Sequence, residues 1–152
     1  MVGNLDAAAP VSLEFDLRET HLLLTPINKD YWAALAEGKL IYQRCGCGHR
    51  WLPPRAECPE CLRADAQWMP ARGEGQLISW VVYHHAYHPS LARALPYNVV
   101  IIELTEGPRL IANIVDCPDG KGLSIGAAVA FDAAQSKRRG RAQFSLQASQ
   151  KA

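Results

Sequence analysis

The chain has 152 residues, of which 49% are hydrophobic and 20% charged, and its formal net charge is +1. These values are ordinary for a globular protein of one domain or two small ones. The near-neutral charge argues against a strongly electrostatic nucleic-acid binder, because phosphate contacts require clustered positive charge. No apolar run approaches the ~20 residues of a membrane span. The N-terminus also lacks the basic and apolar regions of a signal peptide, so we expect a cytoplasmic protein.

The N-terminal segment, residues 1–42, is predicted to be a tail followed by a helical arm. Residues 1–20 show no sustained period, and a short helix or strand is compatible with residues 16–24. Start signals at residues 25–28 and a stop at Gly38 then predict one helix.

One face of this helix is aromatic and apolar. Tyr31, Trp32 and Leu35 fall on one side of it at three- and four-residue spacing, which is the stripe of an amphipathic helix. A helix this short is marginal alone and must pack on something. The stripe therefore packs on the body of the protein or binds a partner protein, and the pattern does not choose between the two.

A strand-like segment at residues 40–44 leads into a cluster of cysteines. Four of the five cysteines fall within seventeen residues, namely Cys45, Cys47, Cys58 and Cys61. Two pairs of thiolates separated by a short loop can close a tetrahedron around one Zn²⁺, at about 2.3 Å per Zn–S bond. We therefore predict a zinc ribbon over residues 43–72. A closed four-thiolate site of this kind supports structure and does not carry out chemistry.

The first cysteine pair has an unusual spacing, since one residue separates Cys45 from Cys47. Flanking glycines would supply the freedom for that tight bend, and His49 is a reserve ligand if Cys45 does not reach the metal. Two disulfides, a redox dithiol at Cys58 and Cys61, and a site that has lost its metal are the alternatives. Nothing suggests secretion, and no βαβ pattern accompanies the second pair, so we favour zinc.

After a boundary at Gly73-Glu74-Gly75 the pattern changes to β-strands, over residues 73–146. Residues 77–83, 97–104, 109–115, 123–133 and 142–146 are rich in β-branched and apolar residues. Residues 135–141 read as a polar, basic turn, and residues 147–152 as a tail. Five short strands with one long loop after the first suit a small closed barrel such as the OB-fold.

The long loop, residues 84–96, contains three histidines. His84, His85 and His88 invite a metal interpretation, but no carboxylate or cysteine joins them locally. We interpret the segment as a loop that faces a partner or ligand. No nucleophile-elbow pattern is present, and His84 or His85 as a base has no evident nucleophile, so the sequence shows no catalytic constellation.

Several short motifs, taken together, resemble one known family. In order they are Gly38-Lys39-Leu40, Arg44-Cys45, Pro53-Pro54-Arg55, Cys58-Pro59-Glu60-Cys61, Pro96-Tyr97, Glu106-Gly107-Pro108-Arg109-Leu110 and Ile125-Gly126. Their order and spacing resemble the DUF35 family, whose members combine a rubredoxin-like zinc ribbon with an OB-fold barrel, over residues 31 to about 144. The family pattern has two residues between its first two cysteines. Cys47 matches the second of these, so Cys45 is the shifted ligand.

The resemblance implies a mainly β protein that is a non-catalytic accessory subunit. Its partner would be a thiolase-like acyltransferase or a hydratase that handles acyl-CoA thioesters, with the barrel binding CoA or bridging the subunits. CoA phosphates would need positive charge, and the donors near predicted loops are Arg93, Lys137, Arg138, Arg139 and Arg141. The run from Lys137 to Arg141 is also compatible with a solvated turn.

Two other functions remain open. OB barrels and zinc ribbons also bind single-stranded nucleic acid, for which Trp80, Tyr83 and Tyr97 could stack on bases, although the near-neutral charge weakens that case. A thioesterase or acyltransferase that works without a partner is the third function. It requires turnover of short acyl-CoA esters by the chain alone.

Overall fold

The computed structural model describes residues 22–148, a mainly β region with one helix near each end. The helices are α1 (Lys29–Ala36) and α2 (Ala133–Arg139), and a 3-10 helix spans Pro89–Ala94. The strands are β1 (Ile41–Arg44), β2 (Arg50–Trp51), β3 (Gln67–Pro70), β4 (Glu74–Tyr83), β5 (Tyr97–Leu104), β6 (Arg109–Ile114), β7 (Ala128–Phe131) and β8 (Gln143–Leu146). Within this part of the chain, no helix has the length and apolar character needed to cross a membrane.

Helix α1 begins after a turn that is closed by two reciprocal hydrogen bonds. The Thr25 amide donates to Asn28 Oδ1 (2.8 Å), and the Asn28 amide donates to Thr25 Oγ1 (3.3 Å). These bonds satisfy backbone donors that have no partner inside a helix. The helix stops before Gly38, whose φ of +76° is a left-handed conformation that glycine adopts at little cost. Tyr31 and Leu35 form its buried face.

The ribbon is a three-stranded antiparallel sheet in the order β2-β1-β3. Its central strand carries Gln43, a buried polar residue. The Gln43 side chain donates to the Arg55 carbonyl (3.0 Å) and accepts from the Arg55 amide (2.7 Å). This pair of bonds satisfies the buried amide and ties the loop that carries the second cysteine pair to the sheet.

The remaining strands form a closed five-stranded barrel in the order β4-β5-β6-β8-β7, with β7 pairing back on β4. Neighbouring strands are antiparallel except for β6 and β8, which are parallel. This confirms the predicted OB-fold. At Gly75 a Cβ atom would lie 2.5 Å from the Glu103 carbonyl oxygen, so only glycine permits the observed approach of β4 to β5.

One apolar core joins the helix, the ribbon and the barrel. It contains Tyr31 and Leu35 from α1, Leu40, Tyr42 and Leu52 from the ribbon, and Leu77, Val100, Ile102, Leu104, Leu110, Ile114, Val129 and Phe144 from the barrel. Burial of apolar surface is the dominant favourable term in folding. The three parts therefore stabilise one another through this core.

The side chain of a buried asparagine, Asn98, joins strand β5 to the end of β6. Asn98 is 1% exposed, and its Nδ2 donates to the carbonyls of Ile114 (2.8 Å) and Cys117 (2.9 Å). Its Oδ1 accepts from the Ile114 amide (2.8 Å). These bonds hold the start of β5 against the end of β6 and the following loop. They also explain why Cys117 lies buried against the barrel.

The region predicted as a basic turn forms helix α2 instead. Asp132 Oδ1 accepts from the Gln135 amide (2.9 Å), which caps the first turn. Gly140, at φ +63°, ends the helix in the left-handed conformation. Lys137, Arg138 and Arg139 occupy the last turn, where cations interact favourably with the helix dipole. The turn prediction was wrong because it weighed the charges and overlooked the cap.

Three further segments refine the sequence prediction. Strand β7 covers only Ala128–Phe131, because a turn at residues 125–126, with Gly126 at a φ of +81°, comes before it. The loop at residues 84–96 contains the 3-10 helix, capped by His88. The predicted element at residues 16–24 lies mostly outside the described residues, and residues 22–24 form no helix or strand.

Candidate metal centre and ligand cavities

The four clustered cysteines meet at the tip of the ribbon. Cys45 and Cys47 lie between β1 and β2, and Cys58 and Cys61 lie between β2 and β3. Their Sγ atoms all lie within 4.8 Å of one another, with Cys45 3.4 Å from Cys61 and Cys47 3.8 Å from Cys58. A tetrahedral Zn²⁺ with Zn–S bonds of about 2.3 Å separates its sulfurs by about 3.8 Å. The thiols therefore fit one zinc ion.

The one-residue gap does not keep Cys45 out of the cluster. The Cys47 amide points at Cys45 Sγ (3.5 Å), and the Gly48 amide donates to the Cys45 carbonyl (2.9 Å). Gly48 takes φ +94°, which permits the tight bend. His49, the reserve ligand, lies outside this four-thiol group, and its ring stacks on Trp51 at a centroid distance of 5.9 Å.

Two charged residues beside the thiols escaped the sequence analysis. Arg63 Nε donates to Cys61 Sγ (3.5 Å) and lowers the pKa of that thiol to about 6. Asp65 Oδ1 lies 2.9 Å from Cys45 Sγ and raises the pKa of the Cys45 thiol. Zinc binding requires thiolates, so Arg63 favours it at Cys61 while Asp65 opposes it at Cys45. The signal was present, since both charges follow the last cysteine within four residues.

The aromatic stripe of α1 is divided between the core and the surface. Leu35 is fully buried and Tyr31 is 7% exposed, so the body of the protein covers both. Of the two alternatives for the stripe, packing on the body of the protein therefore holds for Leu35 and Tyr31, and partner contact through Leu35 does not. Burial also raises the pKa of the Tyr31 hydroxyl. Trp32 is only partly buried and packs edge-on to Tyr31 at 5.3 Å between ring centroids.

Trp32 lines an apolar cavity of about 560 Å³, between α1, the ribbon and the barrel. This apolar cavity is also lined by Tyr31, Pro53, Ile101, Arg109 and Ile111. Its volume falls in the ~300–1,000 Å³ range of small-molecule sites. No sequence pattern marks this cavity, because its walls come from segments that lie far apart along the chain.

Three of the five predicted basic residues line a second cavity of about 260 Å³, the basic cavity. Arg93, Arg139 and Arg141 reach it from the 3-10 helix, from α2 and from the residues before β8. Burial lowers the pKa of Arg139 and Arg141, and each guanidinium lies near another cation. Lys137 and Arg138 are exposed, and Arg138 Nη2 donates to Gln135 Oε1 (2.7 Å). The fold thus brings three of the five predicted basic residues to one cavity.

The histidine loop contains aromatic contacts. His84, His85 and His88 are exposed, and His88 Nδ1 contacts Ser90 Oγ at 2.7 Å while capping the 3-10 helix. The rings of Tyr83 and Tyr97 stack, with 5.1 Å between their centroids and 13° between their planes. Two of the three aromatic residues considered for base stacking therefore already pair together.

Comparison with known proteins bears directly on this ribbon and barrel. Residues 32–66 match the family described as the ChsH2 rubredoxin-like zinc ribbon domain, and residues 68–133 match the ChsH2 C-terminal OB-fold domain. A chain of the solved Ltp2–ChsH2(DUF35) aldolase is 33% identical, with a TM-score of 0.66, and the match covers 81% of this chain and 96% of that one. This chain belongs to the DUF35 family. The predicted family, fold class and structural zinc ribbon are thereby confirmed.

Two curated relatives of the DUF35 chain come from different organisms. The probable enoyl-CoA hydratase alpha subunit of Thermomonospora curvata is 39% identical over 110 residues, which is 70% of this chain and 34% of that protein. The DUF35 domain-containing scaffold protein of Methanocaldococcus jannaschii is 38% identical over 80 residues, 51% of this chain and 56% of that protein. The DUF35 chain therefore spans about a third to somewhat over half of these relatives.

Proposed function

We propose that this DUF35 chain is a non-catalytic accessory subunit of a thiolase-like or hydratase enzyme that handles acyl-CoA thioesters. In this role it binds the thioester or bridges the enzyme subunits. The observation that carries the proposal is the match to the Ltp2–ChsH2(DUF35) aldolase, which covers 96% of the matched chain. Resemblance to a hydratase alpha subunit and to a scaffold protein points the same way.

The zinc ribbon serves this function as a rigid support. In our proposal Cys45, Cys47, Cys58 and Cys61 are the four ligands, which leaves no open coordination position for a substrate. The ion supplies folding energy to a segment with little core of its own. Thiols that must stay reduced for zinc binding suit the cytoplasm, where disulfides are rare.

Ligand or partner binding belongs to the barrel and its flanks. Trp32 offers apolar surface at the junction of helix, ribbon and barrel, and Arg93, Arg139 and Arg141 offer positive charge at the basic cavity. Guanidinium groups suit phosphate because their planar donors bind it bidentately. The chemistry itself would come from the partner enzyme.

Affinity purification of the tagged chain from its own cells, with mass spectrometry and zinc analysis of the eluate, tests this function. We expect a thiolase-like or hydratase protein together with about one zinc per chain. Co-purified nucleic acid with no such enzyme would replace the proposal with single-stranded nucleic-acid binding. Turnover of acetyl-CoA by the purified chain alone would replace it with an independent thioesterase.

A further inference from the structure

Two charged side chains close a ring of contacts at one edge of the cysteine cluster. Cys45 Sγ lies 3.4 Å from Cys61 Sγ, and Arg63 Nε donates to Cys61 Sγ (3.5 Å). Arg63 Nη1 lies 3.7 Å from Asp65 Oδ2, and Asp65 Oδ1 lies 2.9 Å from Cys45 Sγ. Each member of the ring contacts the next. The charged pair Arg63–Asp65 therefore joins one thiol of the first cysteine pair to one thiol of the second.

As an ion pair alone, Arg63 and Asp65 would contribute little to stability. Their side chains are 57% and 44% exposed, and water screens ion pairs of this kind, so that many contribute nothing measurable. The contacts to the thiols differ, because a hydrogen bond that involves a charged group is stronger than one between neutral groups. We therefore expect the effect of the charged pair at the metal ligands and not in general stability.

Gly46, the single residue between Cys45 and Cys47, leaves the space that the charged pair occupies. A Cβ atom at Gly46 would lie 2.9 Å from Asp65 Oδ2 and 3.9 Å from both terminal nitrogens of Arg63. The pKa of the Asp65 carboxyl is lowered by the Cys45 thiol, and to a smaller extent by Arg63 and the Gly46 amide. The carboxylate of Asp65 thus packs into the tight bend between the first two cysteines and faces its backbone.

The two charges act on the thiols in opposite senses. Zinc binding requires thiolates. A carboxylate beside Cys45 Sγ repels a thiolate there, whereas a guanidinium donor at Cys61 Sγ attracts one. Because Arg63 also contacts Asp65, its positive charge offsets the carboxylate as well. Removing the guanidinium would therefore remove a donor from one ligand and leave an uncompensated negative charge beside another.

We infer that Arg63 and Asp65 are positioning residues of the metal centre and act as one unit. Asp65 supports the short bend that brings Cys45 to the cluster, and Arg63 neutralises the charge that this carboxylate places beside the thiolates. Zinc retention therefore depends on the charged pair as a whole. This inference rests on the four-thiolate site of the proposed function and is independent of the accessory role.

Competition between the purified zinc-loaded chain and a chromophoric chelator measures the zinc affinity of each variant. Arg63→Gln should lower this affinity by about 10-fold or more, the usual effect of losing an outer contact to a metal ligand. Arg44→Gln removes an equal charge from the exposed arginine next to Cys45 and is the control. It should change the affinity by less than ~3-fold, because exposed charges are screened. Equal effects of the two substitutions would overturn the role of Arg63.

Two substitutions of Asp65 separate the charge of its carboxylate from its place in the bend. Asp65→Asn should bind zinc more tightly than the wild type, because it removes the repulsion at Cys45 and keeps an oxygen at the bend. Asp65→Ala should bind zinc less tightly than Asp65→Asn, because that oxygen is lost. Glu60→Gln, at an exposed acid between Cys58 and Cys61, controls for the lost charge and should change the affinity less than Asp65→Asn does. Weaker binding by Asp65→Asn, or equal affinities of the Asn and Ala variants, would overturn the role of Asp65.

The double variant tests whether the two residues act as a unit. Arg63→Gln should cost at least ~3-fold less zinc affinity in the Asp65→Asn background than in the wild type, since the effects of residues in contact are coupled. In Asp65→Asn there is no carboxylate left for the guanidinium to offset. Additive effects of the two substitutions would overturn the unit.

The cobalt-substituted chain adds a measurement that general destabilisation does not change. A hydrogen bond to a ligand sulfur stabilises its lone pairs and tunes the metal. The thiolate-to-cobalt charge-transfer absorption should therefore shift to longer wavelength in Arg63→Gln and stay in place in Arg44→Gln. An unchanged wavelength in Arg63→Gln would overturn the contact with the Cys61 thiolate.

Zinc analysis of the wild-type chain separates a failure of this inference from a failure of the metal site. About one zinc per chain, with the same affinity in every variant, would overturn only the role of the charged pair. Absence of zinc from the wild type would overturn the four-thiolate site and the charged pair with it. The accessory role is measured separately, by co-purification of the partner enzyme.

Discussion

At the scale of single residues, the metal centre depends on how each thiol is surrounded. Cys45 and Cys58 are buried, whereas Cys47 and Cys61 are exposed at the ribbon tip. Arg63 lies against Cys61 and would keep its donor there once the thiolates bind a metal. Such outer contacts orient and tune ligands. The buried pair is therefore where substitution should do the most damage.

Replacing Cys58 with serine should release zinc and destabilise the ribbon. The side chain is fully buried, and a hydroxyl is a poor substitute for a thiolate at zinc. The expected loss of unfolding free energy is several kcal/mol, about a third of the ~10–16 kcal/mol that such sites contribute. Zinc content and the thermal midpoint measure the effect. Cys117→Ser, a buried thiol outside the cluster, is the control and should keep its zinc.

Tyr31 should make stability depend on alkaline pH. Burial raises the pKa of its hydroxyl above the unfolded value of ~10, so above that pH the unfolded chain loses a proton that the folded chain keeps. The linkage lowers stability as pH rises, by up to ~1.4 kcal/mol per pH unit. The free energy of unfolding, measured with urea between pH 8 and 11, should fall less steeply for Tyr31→Phe than for the wild type. The control Tyr87→Phe, at an exposed tyrosine, should lose stability with pH as the wild type does. An equal slope for Tyr31→Phe and the wild type would contradict the prediction.

At the scale of elements, helix α2 shows how one cap overrides a polar sequence. It is short, with seven residues, and too short to persist in water without packing. The Ser136 hydroxyl accepts from the Gln143 amide at 2.9 Å, which links the helix to strand β8. The helix thereby holds Arg139 at the basic cavity.

Removing the cap of α2 should loosen this element. Asp132→Ala should cost about 1 kcal/mol of unfolding free energy, the usual cost of losing an N-cap, because the Gln135 amide loses its acceptor. Asp132→Asn preserves an oxygen at the same position and is the matched control. Urea titration should separate the two variants. Equal stabilities would mean that the cap contributes nothing.

At the scale of the whole molecule, the shared core couples the zinc to the barrel. Tyr42 and Leu52 of the ribbon belong to the same apolar cluster as Leu77 and Phe144 of the barrel. Loss of order in the ribbon would therefore uncover barrel residues. The division at residues 43–72 and 73–146 stays a prediction about domains, but the packing argues for joint unfolding.

Removing zinc with a chelator should therefore destabilise the entire chain. We expect one calorimetric transition with and without chelator, shifted to lower temperature by metal removal because ligand binding to the native state stabilises it. Added zinc should restore the original midpoint. Two separated transitions, with the higher one unaffected by chelator, would contradict the coupling and indicate a barrel that folds independently.

Much of the architecture could be predicted because it follows from local chemistry. Cysteine pairs at short spacing predict a metal site, and alternating apolar runs predict strands, so the ribbon and the barrel followed from neighbouring residues. Errors arose where local signals compete, as at residues 133–139, where three consecutive basic residues suggested a turn and the Asp132 cap produced a helix.

The sequence by itself indicated the zinc ribbon, the succession of strands along the chain and the family, since each depends on residue types at short spacings. Only the tertiary structure decided that Leu35 is core while Trp32 reaches a cavity, and that Arg93, Arg139 and Arg141 meet whereas Lys137 and Arg138 do not. These outcomes depend on contacts between segments far apart in sequence. Such contacts form only when barrel closure and the shared core bring those segments together, so no local pattern encodes them.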